Sequence, residues 1–164
     1  MSKLAALLDR LDRLSPWAFT GTLYVVRWLV IVPLAFVLAQ GSPNKLTFDA
    51  PLITLLFGFI VAAPLLETLV ECAAPYWIMR KAGAIPVGKR PWVFVAVAAV
   101  MMTLLHVGAW PLAIIPSLVT GGFLGYTYGH FAPAGFGPAL VHTSVFHAGI
   151  NLVGWVLVAA SGAG

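Results

Sequence analysis

Long apolar stretches set the strongest limit on how this chain folds. The sequence has 164 residues, of which 61% are hydrophobic and 9% are charged, whereas an average soluble domain carries about 25% charged residues. Inside a bilayer the backbone must satisfy its own hydrogen bonds, so apolar stretches of about 20 residues cross it as helices. The composition therefore predicts an all-α integral membrane protein, with residues 1–164 forming one polytopic helix bundle.

Five segments are apolar and long enough to be predicted as transmembrane helices. They are Trp17–Ala39, Pro51–Met79, Pro91–Ala109, Leu112–Tyr128 and Ala139–Ala160. The fourth segment is rich in glycine, and small residues allow two helix backbones to approach closely. We therefore expect it to pack tightly against a neighbour through Gly121, Gly122, Gly125 and Gly129.

The first 15 residues have a different pattern, in which leucines recur at helical spacing and charged residues lie between them. The leucines are Leu4, Leu7, Leu8, Leu11 and Leu14. This pattern predicts a short amphipathic helix on the membrane surface, and the alternative is an ordinary solvated helix start. A signal peptide is not expected, because the apolar run that follows is too long for one and contains Arg27.

Basic residues are concentrated on one side of the predicted spans. Seven lie before the first span or between the second and third, against one in the loop on the opposite side, and they are Lys3, Arg10, Arg13, Arg80, Lys81, Lys89 and Arg90. The positive-inside rule then predicts a cytoplasmic N-terminus and an external C-terminus in a bacterial-type plasma membrane. The predicted partner is the lipid bilayer and not nucleic acid, because the basic residues that give the net charge of +4 lie mostly at helix ends.

Polar side chains within the spans are the candidate functional residues. Glu67, His106, His147 and Asn151 lie on three different predicted helices. Such groups are costly at bilayer depth unless they pair or face a wet cavity. Glu67 and Glu71 are four residues apart and should share a helix face, as should His147 and Asn151. We therefore expect these groups to meet in one layer near the middle of the membrane.

Arg27 lies within the first predicted span and also needs a partner. Its depth is similar to that of Glu71, so we predict a buried Arg27–Glu71 pair that neutralises both side chains and leaves Glu67 as the free carboxylate. The alternative is that the long side chain of Arg27 reaches the headgroups while its stem stays in the membrane.

Three short motifs resemble those of the CaaX protease and bacteriocin-processing family of membrane proteins. Ala63–Glu67 resembles the start of the first motif, Leu104–His106 the helix-borne second motif, and His147–Asn151 the last motif, His-x-x-x-Asn. The resemblance covers about residues 51–160 and includes the order of the motifs. The chain departs from the first motif, Glu-Glu-x-x-x-Arg, at Thr68 and Cys72.

This resemblance implies an intramembrane glutamate protease that needs no metal and no cofactor and that cleaves a membrane-associated peptide. Glu67 and His106 would hold and deprotonate the attacking water. His147 and Asn151 would donate hydrogen bonds to the oxyanion. Glu71 and Arg27 are predicted as supporting residues through their buried pair and not through the resemblance.

Other functions are also compatible with these residues. Two histidines and a glutamate are a common catalytic zinc set, although the His-Glu-x-x-His signature is absent from the sequence. Alternatively, the chain is a non-catalytic subunit that scaffolds a membrane complex or that binds haem or a pigment through its histidines. His130 and His142 are expected to be structural or solvent-exposed.

Overall fold

The computed structural model describes residues 3–39, 56–85, 91–106 and 114–160, and every element in these ranges is helical. This confirms the all-α prediction. We number the six helices α1 (Lys3–Asp12), α2 (Pro16–Ala39), α3 (Gly58–Lys81), α4 (Trp92–His106), α5 (Ile114–Phe131) and α6 (Phe136–Ala160). A 3-10 turn, Ala132–Ala134, joins the last two helices.

Three of the helices contain stretches that are long and apolar enough to cross a membrane, namely Pro16–Leu34, Gly58–Lys81 and Phe136–Val156. Helix α4 is apolar but has 15 described residues, and α5 has 18. The chain is therefore a membrane protein by the length and composition of its helices, while the number of five spans stays a prediction. Parts of three predicted spans, residues 51–55, 107–109 and 112–113, lie outside the described residues.

Helix α3 is irregular, because π-helical and α-helical segments alternate along it. In order these are Gly58–Ala62 (π), Ala63–Glu67 (α), Thr68–Ala73 (π) and Ala74–Lys81 (α). The N–H of Ala63 donates to the carbonyl of Gly58, five residues earlier. The next donor in that register would be residue 64, but Pro64 has no N–H, so the carbonyl of Phe59 does not receive this bond.

Helices α4 and α5 form a tightly packed pair along a stripe of glycines. A Cβ built on Gly121 would lie 2.6 Å from the Cβ of Met102, and one on Gly125 would lie 2.7 Å from the Cβ of Ala98. Close packing through the glycine-rich helix is thus confirmed at these positions. Gly122 is the exception, since no described atom lies within 4 Å of its Cβ position.

Helix α6 runs parallel to α2 and antiparallel to α3. The Tyr24 hydroxyl donates to the Gly149 carbonyl at 2.9 Å, and the Thr20 hydroxyl lies 3.2 Å from Nδ1 of His142, so α2 and α6 run parallel. Helix α3 runs antiparallel to α6, because Phe59 meets the later part of α6 and Glu67 the earlier part. Helix α6 therefore presents its polar residues to both neighbours.

The N-terminal segment forms a helix, as predicted, and it packs on the end of α5. Asp12 accepts a hydrogen bond from the Tyr126 hydroxyl at 3.2 Å and lies 3.3 Å from Nδ1 of His130. His130 also stacks on Phe19, with ring centroids 3.8 Å apart. Burial lowers the pKa of His130, and the neighbouring Asp12 opposes that shift. These contacts give His130 a structural role in holding α1 to the bundle.

Candidate functional site

A polar cavity of about 310 Å³ lies between α2, α3, α4, α5 and α6. All four candidate residues line it, so side chains from three separate helices do meet in one hollow. Arg27 also lines the cavity. The full set of described lining residues is Arg27, Phe59, Glu67, Met102, His106, Pro116, Ser117, Thr120, His147, Ile150 and Asn151.

The central contact of this cavity joins α3 and α6. Oε2 of Glu67 lies 3.2 Å from Nε2 of His147. The histidine side chain is 1% exposed, whereas that of Glu67 is 28% exposed. The carboxylate therefore faces the cavity, and the imidazole contacts it from the buried side. Glu67 and His147 are therefore close enough to share a proton, while a second carboxylate oxygen remains for a ligand in the cavity.

His106 is held in one orientation by its own helix. Its Nδ1 lies 2.8 Å from the carbonyl oxygen of Met102, one turn earlier. A carbonyl only accepts hydrogen bonds, so in this contact Nδ1 is the donor. His106 lines the same cavity as Glu67 and His147. The site thus has an imidazole whose Nε2 is not used by the backbone of its own helix.

Asn151 links α6 to the irregular part of α3. Its side-chain amide donates to the Phe59 carbonyl at 2.9 Å. In the π-helical register this carbonyl faces the nitrogen of Pro64, which has no N–H to donate, and Asn151 supplies a donor there. A primary amide has two N–H groups, and one is therefore still available to a ligand in the cavity.

The predicted Arg27–Glu71 pair is wrong. Arg27 donates from Nη2 to the Thr120 hydroxyl at 3.0 Å, and its guanidinium lies 4.3 Å from the centre of the Trp28 ring. The residue is 5% exposed, so it does not extend to the headgroups either. Neither oxygen of Glu71 has a hydrogen-bond partner among the described residues.

The predicted shared face of Glu67 and Glu71 does not bring both side chains into the cavity. Glu71 lies in the π-helical segment Thr68–Ala73. It is absent from the cavity lining and is 1% exposed. The sequence pattern around Glu71 does not indicate this π-helical segment.

The two departures from the family motif also lie away from the cavity lining. Thr68 and Cys72 are 0% and 1% exposed, and neither lines the hollow. The Thr68 hydroxyl and the Thr143 hydroxyl of α6 have no hydrogen-bond partner in the described part of the chain. Glu71, Thr68 and Thr143 are therefore polar groups that are sealed and unpaired.

Thr120 is a site residue that the sequence did not reveal. A threonine in an apolar helix predicts only helix packing, yet here it is the described hydrogen-bond partner of Arg27. Within residues 3–39, 56–85, 91–106 and 114–160, no group of three or more His, Cys, Asp or Glu side chains is placed to hold a metal ion.

Comparison with family models, with curated proteins and with solved structures gave no match. The resemblance to the CaaX protease and bacteriocin-processing family therefore rests on the three sequence motifs and stays a prediction.

Proposed function

We propose that this chain is an intramembrane hydrolase that activates water to cleave a membrane-associated peptide. The observation that carries the proposal is the 3.2 Å contact between Glu67 and His147 inside a cavity that His106 and Asn151 also line. Polar groups at bilayer depth are expensive unless they are paired or hydrated. A catalytic role therefore explains better than helix packing why three helices bring polar side chains into one cavity.

Water activation is assigned to Glu67 together with His106. As the oxygen of a cavity water bonds to the scissile carbonyl carbon, the exposed oxygen of Glu67 takes one of its protons, and Nε2 of His106 accepts a hydrogen bond from the other O–H. Glu67 then gives its proton to the amine nitrogen as the C–N bond breaks, which leaves a carboxyl group and an amine. Two acceptors on one water orient it and raise its nucleophilicity, which is how a general base works. His147 fixes the carboxylate from the buried side, so Glu67 does not have to be ordered during the reaction.

Stabilisation of the negative charge on the developing oxyanion is assigned to Asn151 and Arg27. The amide of Asn151 keeps one N–H after its bond to Phe59. Arg27 lines the cavity, and its Nε and Nη1 have no hydrogen-bond partner among the described residues. Fixed donors aimed at developing charge in a site of low dielectric constant contribute strongly to catalysis. The arginine of the family motif is replaced by Cys72, and we propose that Arg27 supplies a guanidinium from a different helix.

The proposal includes a location. All five predicted segments would cross a bacterial-type plasma membrane, with the N-terminus cytoplasmic and the C-terminus outside. The basic ends of α1 and α3 support this orientation, since Arg10 lies in the last turn of α1, and Arg80 and Lys81 lie in the last turn of α3. The substrate would be a peptide already in the membrane.

A cleavage assay with a matched pair of variants tests the proposal. The purified protein in lipid nanodiscs is incubated with a peptide library derived from membrane proteins, and new termini are counted by mass spectrometry. We expect the wild type to cleave, and Glu67→Gln to lower the rate about 10²–10⁴-fold, the usual contribution of a general base. Glu71→Gln is the control, because Glu71 lies outside the cavity.

The same assay separates the alternatives. Loss of cleavage on adding a chelator, with recovery on adding zinc, would replace the metal-free mechanism by a zinc one. No cleavage by the wild type, together with a visible absorption band in the purified protein, would replace hydrolysis by haem or pigment binding. Equal cleavage by the wild type and Glu67→Gln would end the proposal.

A further inference from the structure

A second and larger cavity, of about 460 Å³, is lined by α1, α2, α4 and α5. We call it the α1 groove. The described residues that line it are almost all apolar, and none of them lines the polar cavity. Its walls include Leu7, Leu8 and Leu11 of α1, Leu23 of α2 and Leu118 of α5. The α1 groove is therefore separate from the proposed catalytic site.

The α1 groove is elongated along the helix axes. On α5 it extends from Tyr126 to Leu118, which is about 12 Å at a rise of 1.5 Å per residue. Its end near α1 is marked by Trp92, which stacks on Tyr126 with ring centroids 5.5 Å apart. Aromatic residues of this kind favour the membrane interface. The α1 groove thus runs from an interfacial end into the apolar part of the bundle.

Helix α1 forms one wall of this groove and is anchored to the protein. Asp12 accepts a hydrogen bond from Tyr126 and contacts His130, and leucines of α1 line the groove. The groove is partly open, because Leu7, Trp92 and Leu118 on its walls are exposed. Its apolar walls are unfavourable for water and suit an apolar ligand.

Basic side chains flank the apolar face of α1. Lys3 and Arg10 are seven residues apart and both are exposed, and each lies three or four residues from a leucine that lines the α1 groove. Helix α1 also carries two carboxylates, of which Asp12 is engaged by Tyr126 and His130. The exposed cations therefore stand at the rim of the apolar space, where an anionic headgroup would be attracted.

We propose that the α1 groove binds one acyl chain of an anionic phospholipid, whose phosphate lies at Lys3 and Arg10. The ligand class is thus set by three properties together: an apolar slot, its direction along the helices, and cations at one end.

Quenching of Trp92 by brominated lipids tests this site directly, since Trp92 lines the α1 groove. The protein is placed in phosphatidylcholine bilayers that contain a minor fraction of either brominated phosphatidylglycerol or brominated phosphatidylcholine. The contribution of Trp92 is isolated by subtracting the Trp92→Phe signal. We expect stronger quenching by the anionic lipid, with a preference of about fivefold for each basic residue engaged.

Two glycines provide a matched pair of variants. Gly122 lines the α1 groove and has open space at its Cβ position, so Gly122→Phe should fill the slot. Gly21 has equally open space but lies outside the groove lining, so Gly21→Phe is the control. We expect the lipid preference to be lost in the first variant and kept in the second.

A surface variant keeps the test decisive if Gly122→Phe does not fold. Combined Lys3→Gln and Arg10→Gln changes leave the bundle untouched and should abolish the preference for the anionic lipid. Equal quenching of the wild type by the two lipids would overturn the proposal. So would a preference that survives the charge changes, or protection of Trp92 from both lipids in a dimeric protein.

Discussion

Glu67 and Glu71 lie four residues apart on the same helix, yet their surroundings are opposite. Glu67 faces a polar cavity, contacts His147 at 3.2 Å and keeps 28% of its side chain exposed. Glu71 is 1% exposed, and both of its oxygens are without a hydrogen-bond partner among the described residues. The carboxylate of Glu67 is therefore accessible from the cavity, whereas that of Glu71 is enclosed by the protein.

The difference shows that depth in the membrane does not decide what a carboxylate can do. An isolated buried carboxylate is strongly unfavourable, and a group without access to water cannot take part in hydrolysis. What separates the two is that Glu67 lines the cavity, whereas Glu71 lies outside it in the π-helical segment Thr68–Ala73. The surroundings of each side chain thus assign one glutamate to the site and the other to the packed interior.

The largest expected effect is on hydrolysis. Glu67→Gln and His147→Ala should each lower the cleavage rate about 10²–10⁴-fold, and the double variant should be no slower than the worse single one, because residues that act as a unit are not additive. Glu71→Gln should leave the rate unchanged. Multiplicative losses in the double variant, measured with the peptide library, would show that Glu67 and His147 do not work together.

The next effect concerns the wall of the cavity. Gly121→Ala puts a Cβ 2.6 Å from that of Met102 and 2.8 Å from the Ala98 carbonyl oxygen, so α4 must shift, at a cost of about 1–3 kcal/mol. Thermal unfolding in detergent micelles measures it. Gly122→Ala is the control, with open space at the same level of the helix. Similar stability of the two variants would contradict the tight α4–α5 contact.

The sequence predicted the helices, and which residues form the polar cluster, better than it predicted the contacts between those residues. Apolar length and glycine spacing are local signals, so α2, α6 and the close approach of Gly121 and Gly125 followed from them. The Arg27–Glu71 pair failed because it was inferred from similar depth alone, and Glu71 is absent from the cavity that Arg27 lines. The partner of Arg27 is a threonine on another helix, and such a tertiary contact leaves no pattern in the chain.

A smaller effect is expected at Asn151. Removing its amide should cost about 0.6 kcal/mol, the average for a hydrogen bond between membrane helices. Pro64→Ala restores an N–H in register with the Phe59 carbonyl, so it should recover stability in an Asn151→Ala background. Cleavage should not recover, since the second amide N–H is still missing. Recovery of both would assign Asn151 a purely structural role.

The smallest effect is expected in the sealed region around Glu71. The hydroxyls of Thr68 and Thr143 are buried without a partner in the described part of the chain, so replacing each threonine by the isosteric valine removes a desolvated polar group. Thr68→Val and Thr143→Val should be neutral or slightly stabilising in thermal unfolding. A clear loss of stability in either variant would mean that this region contains bound water.

Access of water to the two glutamates can be measured by cysteine labelling. Cys72 is the single cysteine of the chain and is buried, so Cys72→Ala gives a background without thiols. Into it, Glu67→Cys and Glu71→Cys are introduced separately, and reaction with a small charged thiosulfonate is followed in nanodiscs. We expect rapid modification at position 67 and none at position 71 in the folded protein. Equal reaction at both positions, or protection of position 67, would contradict a water-filled cavity at Glu67.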